Sequence, residues 1–250
     1  MSVNTTKVFI LLEPVCQRSA ARVKRIYSSA KLSHFQPNQA RGFSYLPNYD
    51  FSHETEQRCR ETLSRTTVPK VASAGVLVTL CSLKGVPSFL YTLRSSQLRG
   101  RHKGDVSFPG GKRDASDRDI VHTALREAQE ELGVTLSPDL AWGPMKPITD
   151  WTGMVIVPVL ANIGPLEDLA PNPNPKEVES LLTLPISLAC TDAARGYTSF
   201  RQHGRYSYTL PVFRLLGYKV WGLTAMMTDS ALLLLLPGIY RSVLHGSRTR

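Results

Sequence analysis

The sequence predicts an α/β domain in which a mixed β-sheet lies between helices, and three observations carry that reading. Ser73–Ser82 is β-rich and nearly continuously apolar, the pattern of a strand covered on both faces. Ile120, Ala124, Ala128 and Leu132 recur every fourth residue with Val121 and Leu125 beside them, which describes a helix built to bury one side. Along the chain the elements alternate as hairpin, helix, strand, hairpin, helix, an order that stacks helices on a sheet of mixed direction.

With 250 residues and a net charge of +10, the chain is long enough for one domain with a sizeable core plus additional segments. The charge is uneven. Residues 1–49 hold Lys7, Arg18, Arg22, Lys24, Arg25, Lys31 and Arg41 against the single acid Glu13, so more than half of the excess sits there. Rich in Ser, Asn and Gln and without hydrophobic periodicity, this stretch has the Arg-rich, acid-poor composition of a mitochondrial transit peptide. Val8–Leu12 is too short for a signal-peptide core. A nucleic-acid-binding arm is the rival reading, but no repeating aromatic interleaving or nucleic-acid motif accompanies the charge. Residues 1–49 are therefore expected to be a disordered, removable leader, and residues 241–250 a basic tail. Cys16, Cys59, Cys81 and Cys190 are scattered without Cys-x-x-Cys spacing, which gives neither a disulfide framework nor a zinc site and points to a reducing compartment.

Residues 50–68 read as a polar helix from Glu54 to Leu63 that stops before Pro69, either a linker or an element docked on the domain expected over 69–240. After the first strand, Lys84-Gly85 supplies a turn and Pro87–Arg94 returns as a second strand. The stretch Arg94–Lys103 then places four cations within ten residues. Such a run is ordinarily solvated. Here it stands just ahead of an acidic cluster, and cationic walls beside a carboxylate-held metal suit a polyphosphate or pyrophosphate ester.

The turn Phe108-Pro-Gly-Gly111 leads into the amphipathic helix, whose ends are marked. Ser116 with Asp119 fits a capping box, and Gly133 stands where a left-handed residue ends the helix. Glu127, Glu130 and Glu131 share a stripe beside the apolar one. Like charges at these spacings cost about 0.2–0.5 kcal/mol each, and they occupy the end where the macrodipole disfavours anions. Arg126 offsets only part of this. The stripe is either a solvated acidic face or the seat of a divalent cation, and carboxylate oxygens suit magnesium or manganese.

Beyond the helix, Thr135–Gly153 has no clear period, and Trp142 and Trp151 either anchor it to the core or line a pocket. Met154–Ala161 is a buried strand in which Pro158 implies an edge or a bulge. Pro171-Asn-Pro-Asn-Pro175 excludes helix and central strand and delivers Glu177 and Glu179 at the start of a short amphipathic turn. Tyr206–Phe213 and Tyr218–Leu223 read as a second hairpin. Thr224 is expected to cap a helix through Leu236, whose apolar run Ala231–Leu236 is far short of the ~20 residues that span a bilayer.

These residues resemble the Nudix hydrolases. The signature of that family is a Gly, five residues, a Glu, seven residues, and then Arg-Glu-apolar-x-Glu-Glu-x-Gly-apolar. Arg126, Glu127, Ala128, Glu130, Glu131, Gly133 and Val134 match the second half in full. The first half departs: five residues on from Gly111 stands Asp117 rather than Glu, and eight residues follow instead of seven. In the family that Glu pairs with the Arg and steadies the loop, a part that falls here to Asp117 or Asp119. Leu90-Tyr-Thr-Leu-Arg94-Ser95 with Arg99, His102, Gly104 and Phe108-Pro-Gly-Gly111 is similar to the further motif of the coenzyme A-cleaving branch, with one extra residue between Arg99 and Gly104. Trp221-Gly-Leu-Thr-Ala225 adds to the similarity with vertebrate mitochondrial members of that branch.

The resemblance implies an α/β/α sandwich and a metal-dependent pyrophosphohydrolase acting on coenzyme A or acyl-coenzyme A, with 3′,5′-ADP and 4′-phosphopantetheine or its acyl form as products. It implies Mg2+ or Mn2+ held by Glu127, Glu130 and Glu131, catalytic parts for Glu130 and Arg126, and substrate contacts from Arg94, Arg99, His102, Gly110 and Gly111. The general base stays open among Glu130, Glu177 and Glu179. The mitochondrial matrix is the expected location, with no nucleic-acid or membrane partner. Hydrolysis of ADP-ribose or a dinucleotide, or a non-hydrolysing nucleotide sensor, are the alternatives; a sensor would be expected to lose carboxylates that this chain keeps.

Overall fold

The computed structural model describes residues 49–98, 102–202, 206–215, 217–242 and 244. The expected leader apart from Tyr49, most of the expected tail, and Arg99 lie outside the described residues.

β1 (Ala74–Leu83) is the axis of the larger sheet. On one side it runs parallel to β7 (Val155–Pro165), from Ala74 opposite Ile156 to Leu80 opposite Asn162. On the other side β1 has two successive antiparallel partners. Its distal end pairs with β2 (Val86–Arg94) across a tight turn in which Lys84 and Gly85 take φ of 50° and 74°, the left-handed pair that a two-residue hairpin demands. Its proximal end, Ala74–Val76, pairs with β4 (Gly110–Lys112). β1 and β2 thus part company, and the segment from β3 (Val106–Ser107) through Pro109 to β4 fills the wedge. Val106 and Ser107 pair with Leu93 and Thr92 of β2, and the Leu77 N–H donates to the Pro109 carbonyl at 2.8 Å. β8 (Val178–Pro185) borders β2 on its other edge, while β5 (Ala141–Pro144) and β6 (Ile148–Thr149) run antiparallel to β7. One parallel pair among antiparallel ones makes the sheet mixed.

Helix α2 (Ile120–Leu132) covers one face, with Ala124, Leu125, Ala128 and Leu132 packed among Leu77, Cys81, Leu90, Val159 and Leu181. It comes unusually close because position 75 is glycine: a Cβ there would lie 2.7 Å from the Ile120 carbonyl oxygen and 2.9 Å from the Ala124 nitrogen. One-turn helices α3 (Leu166–Leu169) and α4 (Ile186–Ala189) follow β7 and β8. The other face of the sheet presents Val78, Leu80, Phe89, Tyr91 and Phe108 to α5 (Gly222–Leu235), which contributes Ala225, Met227, Ala231, Leu232 and Leu235. The Tyr91 hydroxyl meets the Thr228 hydroxyl at 3.0 Å in this buried interface. The layers are those of the expected α/β/α sandwich.

Of the two readings left open for residues 50–68, linker or docked element, the structure has the second. α1 (His53–Leu63) buries Cys59 and Leu63 in the core beside α5. Arg58 donates to the carbonyls of Leu234 and Leu235 at 2.6 and 3.0 Å, satisfying acceptors that the end of α5 leaves free, and Arg60 donates to the Ala141 carbonyl at 2.7 Å.

Several local expectations are corrected. The N-cap of α2 is Asp119, whose carboxylate accepts from the His122 N–H at 2.8 Å; Ser116 lies in the preceding turn, bonded to Asp114. The cap of α5 is Trp221, with Thr224 already inside the helix. Pro158 is not at an edge: it sits in the interior strand β7, where the antiparallel partner changes from β6 to β5 and no ladder N–H is missed. Trp142 is buried, edge-on to Phe51, whereas Trp151 is 84% exposed. Glu177 closes a turn, its N–H and that of Val178 donating to the Asn174 carbonyl at 3.0 and 2.8 Å, and Glu179 already lies on the strand β8. A smaller sheet holds β9 (Arg195–Gln202), β10 (Tyr206–Leu215) and β11 (Tyr218–Val220) in the order β11-β10-β9, so the second hairpin has a third strand.

Candidate active site

The site forms where α2 ends over the wedge between β1 and β2. Arg126, in the middle of the helix, organises its acidic neighbours. Its Nε and Nη2 donate to the two oxygens of Asp117 at 3.0 and 3.1 Å, and Nη2 also reaches the Lys112 carbonyl at 3.1 Å. The same guanidinium meets Glu127 at 2.9 Å and Glu130 at 3.2 Å. Asp117 is buried, and it also accepts from the Asp114 N–H at 2.9 Å and lies 2.8 Å from His122 Nδ1. The Arg126 guanidinium, with these added donors, holds the Asp117 carboxyl well below the usual range. The partner of Arg126 is therefore Asp117, while Asp119 caps the helix. A shorter acid in place of the signature Glu reaches the arginine because an extra residue separates them, and His122 joins it. The changed spacing was the signal in the sequence; the histidine had none.

Glu131 is the opposite case. It is 5% exposed, its Oε1 accepts from the Gly110 N–H at 3.4 Å, and its Oε2 accepts from the Thr92 hydroxyl at 3.4 Å. Thr92 is fully buried and bonds in turn to Ser107 at 3.2 Å. Burial pushes the Glu131 carboxyl up to about 7, and the charges of Glu177 and Glu127 add to the effect while Gly110 and Arg94 oppose it. Glu127 is also raised, first by burial. Its carboxylate lies flat against Gly111, where any Cβ would overlap it, so the second glycine of the turn is a cradle for that side chain. Glu130 is the outermost of the three, its side chain 58% exposed.

The loop after the helix is keyed to the helix end. Gly133 takes the left-handed conformation at φ 64°, and a Cβ there would collide with the backbone of Asn172. The Asn174 N–H donates to the Glu131 carbonyl at 3.1 Å, satisfying an acceptor that the helix terminus leaves open. From there Glu177 is carried to the site, where its charge is felt by both Glu127 and Glu131. Glu179 instead accepts from the Ser96 N–H at 3.4 Å. The Ser95 N–H donates to the Glu177 carbonyl at 2.8 Å, which ties this loop to the strand end bearing Arg94.

Of the residues singled out in the sequence, Arg126, Glu127, Glu130, Glu131, Gly110 and Gly111 are brought together. Arg94 is close enough for its charge to act on Glu131, and its buried Nε has no hydrogen-bond partner among the described residues. His102 stands on the exposed loop, its Nδ1 3.1 Å from Asp105. Thr92 and Ser107 were missed, although a threonine inside Phe89–Leu93 interrupts an otherwise apolar strand. Among the described residues no three His, Cys, Asp or Glu side chains converge into a ready cation cage. Arg126 holds Glu127 and Glu130 in ion pairs, so a cation would take over contacts that the arginine now makes.

The NUDIX domain family model matches residues 70–197, which span the larger sheet, α2 and the start of the smaller sheet. The mouse protein "Mitochondrial coenzyme A diphosphatase NUDT8" is 51% identical over 76% of this chain and 92% of its own length. Its human namesake is 50% identical over 78% of this chain and 84% of its own length. Among solved structures, a MutT/nudix family protein from Enterococcus faecalis is similar at a TM-score of 0.40 and 19% identity, over 64% of each chain. With half of the aligned residues identical to these relatives and a family match across most of the folded body, the chain belongs to the Nudix hydrolase family and is an enzyme.

Proposed function

We propose that this chain is a divalent-metal-dependent pyrophosphohydrolase that cleaves the diphosphate of coenzyme A and acyl-coenzyme A, giving 3′,5′-ADP and 4′-phosphopantetheine or its acyl form. The observation that carries the reading is Glu131. A carboxylate buried at a helix C-terminus, raised in pKa and without an ion pair among the described residues, is a site short of positive charge. The half-identical relatives named as coenzyme A diphosphatases supply the substrate class.

In this reading Glu127, Glu130 and Glu131 hold Mg2+ or Mn2+. The fit is chemical: the donors are all oxygen, and two of the carboxylates have raised pKa values that a cation would reverse. Such a cation supplies charge that polarises phosphoryl oxygen and acidifies water. The chain's own groups do the rest. Arg94 neutralises diphosphate oxygens with a guanidinium whose Nε has no other partner among the described residues. Arg99, which lies outside the described residues, and His102 are assigned substrate contacts on the sequence resemblance alone. Gly110 and Gly111 seat the carboxylates of Glu131 and Glu127 and line the substrate beside them. Arg126 fixes the loop through Asp117 and restrains Glu130. Glu130 or Glu177 takes the proton of the attacking water; Glu179, turned to Ser96, is the weaker candidate.

The basic leader, residues 1–49, is read as an import signal for the mitochondrial matrix, in keeping with the compartment in the relatives' names. Incubating the purified chain with coenzyme A, ADP-ribose and dinucleotides, with and without Mn2+, tests the enzymology. Coenzyme A should be cleaved fastest and only with the cation. Faster turnover of ADP-ribose or a dinucleotide would replace the substrate, and cation-independent cleavage would remove the metal. A reporter fused to residues 1–49 should enter mitochondria; a cytosolic reporter rejects the leader reading alone.

A further inference from the structure

A cleft of about 540 Å3 opens between the end of the β2–β3 loop and the smaller sheet, and the proposed hydrolytic machinery makes no use of it. Its position ties it to the catalytic centre. Val106 forms part of one wall, and the next residue, Ser107, is bonded to Thr92, whose hydroxyl reaches Glu131. From Asp105 to Gly110 an extended chain covers at most about 17 Å at about 3.4 Å per residue. The cleft wall and the carboxylate cluster are thus joined through adjacent residues of β3, within the reach of one extended substrate.

The walls say which part of the substrate fits. Val106, Leu210 and Val212 give apolar sides, and Trp221 and Tyr218 stand at the rim, 43% and 38% exposed. The two charged lining groups, Lys219 and Asp105, are of opposite sign, and Asp105 already faces His102 at 3.1 Å. A phosphate-bearing nucleotide needs a surplus of cations, and that surplus belongs to Arg94 and the basic loop following it. A cleft without net charge suits a neutral, largely alkyl arm with a few amide groups. Such an arm buries its methylenes against aromatic and aliphatic walls and leaves its polar groups to the open side.

Resting on the reading of coenzyme A as substrate, we propose that this cleft holds the pantetheine arm, with Trp221 as its main apolar contact and Tyr218 as a second. Its open rim lets an acyl group on the thiol project outward.

The test compares Trp221→Ala, Trp221→Phe and Tyr218→Ala with the wild-type full chain. For Trp221→Ala, KM for coenzyme A should rise about tenfold with a smaller change in kcat, since the lost contact is shared by ground and transition states. Phe should restore most of it, and Tyr218→Ala should give a smaller rise in the same direction. Product inhibition assigns the arm. Inhibition by 4′-phosphopantetheine should weaken in Trp221→Ala while inhibition by 3′,5′-ADP stays unchanged. Weakened 3′,5′-ADP inhibition instead would place the nucleotide in the cleft and overturn the assignment. If Trp221→Ala is poorly folded, Tyr218→Ala decides by the same two inhibitors. Unchanged kinetics in both variants overturns the cleft alone. Wild-type chain that does not turn over coenzyme A overturns the substrate reading first, and the cleft's occupant with it.

Discussion

The two ends of helix α2 each bury an acid, and they treat it in opposite ways. At the N-terminal side Asp117 is enclosed by Arg126, His122 and a backbone N–H, and its pKa falls. At the C-terminal side Glu131 is enclosed by one N–H and one hydroxyl, both at 3.4 Å, and its pKa climbs to about 7. The first end is electrostatically complete. The second is complete only with charge from outside, at the helix terminus where the macrodipole also disfavours an anion. Structure is secured at one end so that deficit can be kept at the other.

Breaking the open end should have the largest effect. Glu131→Gln is expected to lower kcat by about a thousandfold or more, as loss of a charged group at the reacting centre does. Without metal, the same variant should be no less stable than the wild type at neutral pH. The sign follows from linkage: the folded pKa of about 7 lies above the ordinary 4.5, so this group's contribution is full below about 4.5 and is lost as pH rises through 7. Wild-type stability relative to the variant should therefore drop on the order of 3 kcal/mol from pH 4.5 to pH 8 in chelator. Denaturant titrations at the two pH values measure it; a constant difference would show that the fold leaves the Glu131 carboxyl at its ordinary pKa.

The closed end should fail in another way. Asp117→Ala leaves Arg126 without its main partner and should cost about 3 kcal/mol, seen as roughly a 6–12 °C fall in Tm. Its carboxyl is depressed, so its contribution is present above about 3.9 and lost only as pH falls through the lower folded value. In a His122→Ala background, where no imidazole faces the aspartate, the deficit should accordingly be the same at pH 5 and pH 8. A deficit that varies across that range would mean that the two ends are not electrostatically distinct.

His122→Ala is the mildest of the three. It removes one donor from Asp117 and leaves the arginine fork, so a loss of about 1 kcal/mol is expected. A loss as large as that of Asp117→Ala would make the histidine, not the arginine, the principal partner.

The helix itself was legible because its apolar repeat, its glycine stop and its acidic stripe are all local. Its start was misplaced at Ser116, since Ser and Asp are equally good caps and only the backbone decides between them. The choice of Asp117 for Arg126 and of Glu177 near the carboxylates depends on a loop's path through space, which spacing along the chain does not encode. β9 was missed because Arg195–Gln202 is short of apolar alternation and is recruited by pairing with β10. Trp142 and Trp151 had equal standing in the sequence, and only packing separated an anchor from an exposed ring.

The Gly133–Asn172 contact gives the site a property of a jointed linkage. The Asn174 N–H is fastened to the Glu131 carbonyl, and the Glu177 carbonyl is fastened to the Ser95 N–H, so acid and base sides are links in one closed ring. In such a ring the separation of Glu131, Glu177 and Arg94 is set by these short links and not by the long excursion of chain through β5, β6 and β7 between them. Surface turns in that excursion can drift in length while the spacing of the charges stays fixed. The segment from Asn174 to Glu177 has no such freedom.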